Sequence, residues 1–110
     1  MTAPVTTSWT EVAGRAGSFD AYLALPPAGT GPGLLLLQEI FGVNVHIRAV
    51  AEQYALDGFV VLAPDLFWQQ VRRLDIGYTP DDIQRGRALA MAADRAALQR
   101  DLADGAAALR

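Results

Sequence analysis

Glu39 is the residue from which chemistry would start. It follows an apolar run, Leu34-Leu35-Leu36-Leu37, that turns polar at Gln38 and opens into Ile40-Phe41-Gly42-Val43-Asn44. A carboxylate where a strand of an open α/β sheet gives way to a helix lies at the crevice such sheets use for ligands. There it can be a general base, a gate or a ligand, or it can cap a turn or pair with an arginine. The N–H groups around Gly42 and Asn44 can bind an oxyanion or simply turn the chain from strand to helix. Asp65 ends a second apolar run and is read as a catalytic acid or, more ordinarily, a turn residue. Arg85 and Arg87 can clamp an anionic substrate through paired hydrogen bonds, or line a solvated helix face. His46, the single histidine, falls in the first turn of a helix and is expected at the surface or partly packed. Trp9, Trp68 and Tyr78 are read as packing residues.

No nucleophile accompanies these groups. Ser8 and Ser18 are the only serines, and neither lies in a Gly-x-Ser-x-Gly elbow. There is no Cys, so the 110 residues hold no disulfide, thiolate or cysteine metal site. One histidine without cysteine makes zinc improbable. Neither a P-loop nor a dinucleotide fingerprint is present. No metal and no cofactor is expected.

The elements that must position Glu39 follow from hydrophobic spacing. Thr6 to Val12 favours an edge strand. After the Gly14 to Gly17 turn, Phe19, Ala21, Leu23 and Leu25 alternate with Asp20, Tyr22 and Ala24, as in a half-buried strand. Residues 26–33 are a Pro- and Gly-rich loop. Leu34 to Leu37 lacks a polar face, which predicts a strand buried on both sides. Asn44 is placed to cap a helix whose inner face is Ile47, Val50, Ala51, Tyr54 and Ala55, with Gly58 at its left-handed end. Phe59 to Ala63 is a second apolar strand, stopped by Pro64-Asp65. Strand, helix and strand over about 30 residues make a βαβ unit with a parallel pair. Residues 66–78 look irregular. Thr79-Pro80-Asp81-Asp82 starts a helix with a cap, a first-position proline and first-turn acids. One straight helix from there to Arg110 would run about 45 Å, too long for so small a domain. A break near Ala93-Asp94 is expected, with Leu98, Leu102 and Leu109 buried by the second piece.

Composition bounds the function. A hydrophobic share of 52% and a charged share of 19% describe a globular chain and not a disordered one. The formal charge is -3, and no basic cluster exceeds Arg72-Arg73, which argues against nucleic acid. No apolar stretch approaches the roughly 20 residues that span a bilayer, and the N-terminus does not resemble a signal peptide. A cytoplasmic protein with no membrane partner is expected.

The run Gln38-Glu39-Ile40-Phe41-Gly42-Val43-Asn44, then Ile47-Arg48, Asp57-Gly58-Phe59 and Ala63-Pro64-Asp65-Leu66-Phe67-Trp68, resembles the dienelactone hydrolases (carboxymethylenebutenolidases). The resemblance extends from about Phe19 to Arg110. It implies an α/β-hydrolase fold and opening of a cyclic enol ester by Cys-His-Asp acyl transfer without a cofactor, typically in bacterial breakdown of aromatic compounds. It implies that Glu39 gates the nucleophile, that Ile40 gives a backbone N–H to the oxyanion hole and that Phe41 lines the pocket. Arg85, or Arg87, would bind the substrate carboxylate. Members of the family are longer, and their nucleophile elbow should follow the helix that ends near Arg110.

The first expectation is therefore a partial hydrolase domain over residues 1–110, truncated before the elbow, that acts on a small lactone or ester only within a longer protein. A second is a non-catalytic half-domain completed by a partner that supplies the missing C-terminal half. A third is a small carboxylate-binding protein using Arg85 and the Ile40 N–H. The β-strand edge left without its neighbour should make the 110-residue chain marginally stable.

Overall fold

A computed structural model describes residues 4–109. Four strands and three helices occur in the order β1 (Thr6–Ala13), β2 (Ser18–Leu25), β3 (Gly33–Leu35), α1 (Val45–Leu56), β4 (Val60–Pro64), α2 (Pro80–Ala92) and α3 (Arg95–Ala108). The strands form one sheet in the order β1-β2-β4-β3. β1 and β2 are an antiparallel hairpin, β2 runs antiparallel to β4, and β3 runs parallel to β4. The expected β3-α1-β4 unit is thus present, and its two strands end side by side. Among the described residues no helix is long and apolar enough to cross a membrane.

The core has two layers, one on each face of the sheet. Tyr22, Ala24, Val61 and Ala63 meet Ile47, Ala51 and Ala55 of α1 on one face. Val12, Phe19, Ala21 and Leu62 form the other, with Leu109 packed against them. This corrects the expected alternation in β2. Tyr22 and Ala24 are buried while Leu23 and Leu25 are only half-buried, because helices lie on both faces and the outer side of β2 is not solvent. Pro64 is the last residue of β4 and needs no N–H donor there.

Three burial expectations fail at the margins of this core. β3 is an edge strand with β4 as its one described neighbour, so Leu34 to Leu36 are half-buried and Leu37 is half exposed. Tyr54 stands 42% exposed and packs edge-on to Phe59 instead of facing the sheet. On α3 the fully buried residues are Asp101 and Gly105, whereas Leu98, Leu102 and Leu109 are half-buried. Gly105 faces Leu35, where an added Cβ would lie 3.3 Å from its Cδ1, so α3 seats its glycine against the sheet.

The helix termini follow their capping signals. Asn44 accepts from the Ile47 N–H at 3.1 Å, and Gly58 takes φ +105 after the last turn of α1. Thr79 accepts from Asp82 N–H and Pro80 opens α2. The break falls at Ala93 and Asp94, both extended, and Asp94 caps α3 through the Ala96 N–H. Two extended residues let α3 turn back across β1 and β4. Arg110 lies outside the described residues.

Candidate functional site

The carboxyl ends of β3 and β4 are joined by a side chain. Gln38 Oε1 accepts from the Leu66 N–H at 2.9 Å, and its Nε2 donates to the Glu39 carbonyl at 3.2 Å. The same carbonyl accepts from the Gly42 N–H, closing a tight turn in which Gly42 has φ +80. Glu39 therefore has a pinned backbone and an exposed carboxylate. Among the described residues that carboxylate forms no hydrogen bond or ion pair, and the Ile40 N–H forms no hydrogen bond. A group held so can act on something brought to it.

A second segment, residues 74–78, is stitched along this turn. Ile76 N–H donates to the Phe41 carbonyl, and Gly42 pairs with Asp75 in a short bridge. Arg48 donates to the Val43 carbonyl at 2.8 Å and to Asp75 at 3.0 Å. Asn44 is 3% exposed; its Nδ2 donates to the Ile76 carbonyl and to the Tyr78 hydroxyl. Phe41 meets Tyr78 edge-on at 4.5 Å between centroids. Tyr78 is 53% exposed, so its packing on Phe41 is at the surface and not in the core. Trp9 and Trp68 do pack, on Tyr22 and Phe19.

α2 reaches the same turn. A Cβ at Gly86 would lie 2.6 Å from the Ile40 carbonyl oxygen, so helix and turn are in backbone contact there. Arg85 and Arg87 flank Gly86; both are exposed, and neither forms an ion pair among the described residues. The structure thus brings Glu39, Ile40, Phe41 and the arginine helix to one end of the sheet. His46 stays exposed on α1, as expected. Gln38 and Gly86 were missed as site residues. An isolated glycine inside a strong helix was the one available signal for close backbone approach.

Asp65 is not at this opening. It is 1% exposed, accepts the Arg73 N–H at 2.6 Å and leaves Oδ1 without a partner among the described residues. Arg73 takes φ 55, pairs with Asp20 at 2.8 Å and lies over Trp9. Asp65 therefore holds the 66–73 turn closed. Burial, the largest influence, pushes its carboxyl above the ordinary 3.8, opposed by the Arg73 N–H. A raised folded value means the native state binds the extra proton, so stability falls as pH rises from about 3.8 through the folded value. Asp65→Asn should keep the acceptor and lose this slope. Its melting temperature should improve relative to wild type as pH is raised from 4 to 7 (about three pH units), and parallel curves would refute the assignment. Asp104 has the opposite sign. The Arg15 N–H, bonded at 3.0 Å, holds it low, so its contribution is lost only below 3.8.

A second carboxylate is buried on α3. Asp101 is 2% exposed and accepts the Trp68 indole N–H at 2.8 Å. It locks α3 to the turn after β4.

The sequence pattern of the dienelactone hydrolase family matches residues 19–110. The chain belongs to this family. A carboxymethylenebutenolidase of Pseudomonas sp. is 43% identical over 94 residues, which are 86% of this chain and 37% of that protein. A Synechocystis sp. protein assigned the same activity is 40% identical over 90 residues, 81% of this chain and again 37% of the relative. The crystal structure of a Klebsiella pneumoniae protein assigned as a dienelactone hydrolase superposes with a TM-score of 0.78 at 26% identity, over 96% of this chain and 43% of its own. The chain therefore spans well under half the length of these dienelactone hydrolase relatives, and within that span the fold is the α/β arrangement they share.

Proposed function

We propose that these residues form the strand-end wall of a lactone-hydrolysing active site of the dienelactone hydrolase type. One observation carries the reading. α2 touches Ile40 through Gly86, so its two arginines flank the turn that holds Glu39. Cyclic enol ester opening needs an activated nucleophile, a donor for the carbonyl oxygen as it becomes an oxyanion, and a cation for the substrate carboxylate. Glu39 serves the first, the free Ile40 N–H the second, and Arg85 or Arg87 the third, with Phe41 as an apolar wall. Attack on the ring carbonyl breaks the acyl–oxygen bond. The enolate oxygen leaves, a proton taken up at the conjugated carbon turns it into the oxo group, and water then frees the acyl group as a carboxylate.

The 110 residues contain no cysteine, so a thiolate nucleophile has to come from elsewhere in the same polypeptide or from a second chain. The edge position of β3 favours completion by a further strand and keeps the half-domain reading beside the single-polypeptide one. The native gene product should hydrolyse dienelactone, while purified residues 1–110 should not. Turnover by the 110 residues alone would overturn the division of the site, and a native product inert to lactones would overturn the activity. A strand-bearing partner that co-purifies with the 110 residues would decide for the two-chain form.

A further inference from the structure

Tyr78 makes two contacts that its exposure does not lead one to expect. Its ring meets Phe41 at 71° with centroids 4.5 Å apart, a favoured edge-to-face geometry. Its hydroxyl accepts from Asn44 Nδ2 at 3.3 Å. Asn44 cannot readily swing away, because its Oδ1 caps α1 and its Nδ2 also holds the Ile76 carbonyl. Tyr78 is thus attached at both ends to the turn that follows Glu39. It also immediately precedes Thr79, the cap of α2, so one residue joins the Phe41 turn to the arginine helix. The ring borders an open cleft of about 190 Å³. Removing it enlarges that open space and takes away the aromatic partner of Phe41.

We propose that Tyr78 is a positioning residue that sets specificity: it holds Phe41 in one rotamer and so shapes the wall offered to a planar, conjugated lactone. The inference rests on the lactone-hydrolase reading above and adds a residue that controls which ester fits. A flat ring gains from a fixed aromatic wall, whereas a small acyclic ester does not need one. The hydroxyl contact is long and partly exposed, so the ring edge carries the effect.

The test compares Tyr78→Ala, Tyr78→Leu and Tyr78→Phe in the native gene product, with dienelactone and vinyl acetate as substrates. Vinyl acetate shares the enol leaving group and lacks the ring. Ala and Leu should lower kcat/KM for dienelactone about threefold to tenfold, mainly through KM, and change vinyl acetate less than about twofold. Phe should stay near wild type. A merely structural role would depress both substrates together. The χ1 couplings of Phe41 should report one rotamer in wild type and Tyr78→Phe, and averaging in the other two. An unchanged substrate ratio in an enzyme that does hydrolyse dienelactone, or unchanged couplings, overturns the proposal. If Tyr78→Ala does not fold, Tyr78→Leu carries the comparison. If wild type is inert to dienelactone, the activity reading fails, and the couplings alone decide whether Tyr78 positions Phe41.

Discussion

Gly42→Ala should cost the native protein about 2–6 kcal/mol, the largest stability loss expected from any single methyl group at the site. Two independent causes add. At φ +80 an L side chain is strained by about 1–3 kcal/mol. The added Cβ would also overlap the Leu74 carbonyl oxygen and lie 2.6 Å from its carbon, and overpacking of this kind costs about 1–3 kcal/mol. Relaxation is blocked on both sides. Leu74 is 3% exposed in the core, and the segment after it is tied down by Ile76 to Phe41, Arg48 to Asp75 and Asn44 to Ile76. Moving one backbone away would break those bonds. Urea unfolding of the native gene product should show the midpoint falling steeply with little change in slope. A variant within about 1 kcal/mol of wild type would show that the turn adapts. Against a typical total of about 5–15 kcal/mol, the expected loss should also reduce soluble yield.

That prediction depends on contacts a linear reading could not supply. The glycine was visible as part of a strand-to-helix turn, and the turn was recognisable from the polarity switch after Leu37. What pressed on it was not visible. Residues 66–78 carry no hydrophobic period, so nothing in their spacing says that Leu74 to Tyr78 run along the turn. The local signals fared better. Asn44, Gly58, Thr79-Pro80 and Asp94 work through neighbours within a few residues, and each marks its helix end in the structure. Burial was harder wherever it depended on layers. Whether Leu23 or Tyr22 turns inward depends on how many helices cover β2, and that is a property of the assembled sheet. Asp101 is the clearest case. It lies three residues after Leu98 on the face of α3 that packs inward, and the Trp68 indole N–H that meets it there comes from a distant turn that no local spacing indicates.

At the candidate site the division is similar. Position at a strand end pointed to Glu39 and a helix to Arg85 and Arg87, while Ile40 and Phe41 came only from the family resemblance. Their assembly required two connections outside the motif's logic. Gln38 reaches across to the Leu66 N–H, which aligns the ends of β3 and β4. Gly86 lets α2 approach Ile40 without a side chain between them. A helix surface with alanine or larger at that position would stand further off, and Arg85 and Arg87 with it.

Glu39→Gln should separate the chemistry of this turn from its folding. The side chain is exposed and unpaired among the described residues, whereas the Glu39 backbone carries the turn's hydrogen bonds. Glutamine keeps the shape and the backbone bonds, so stability should shift by less than about 0.5 kcal/mol. Its neutral amide cannot take up or release a proton in the way a carboxylate can. If Glu39 gates the nucleophile, kcat for dienelactone should fall about a hundredfold, near the lower end of what a proton-transfer group contributes. KM should change little, because the interaction lost is one that matters as the thiolate forms and attacks, after the lactone is already bound. Arg85→Gln should show the opposite division: a raised KM for a carboxylate-bearing lactone with kcat less affected, since a clamp acts on the bound substrate and the transition state alike. Full activity in Glu39→Gln would remove the gate and leave the exposed carboxylate as an ordinary surface charge. A large loss of stability would instead show that the carboxylate supports the turn itself. The two measurements together, unfolding and steady-state turnover on one protein, distinguish these outcomes.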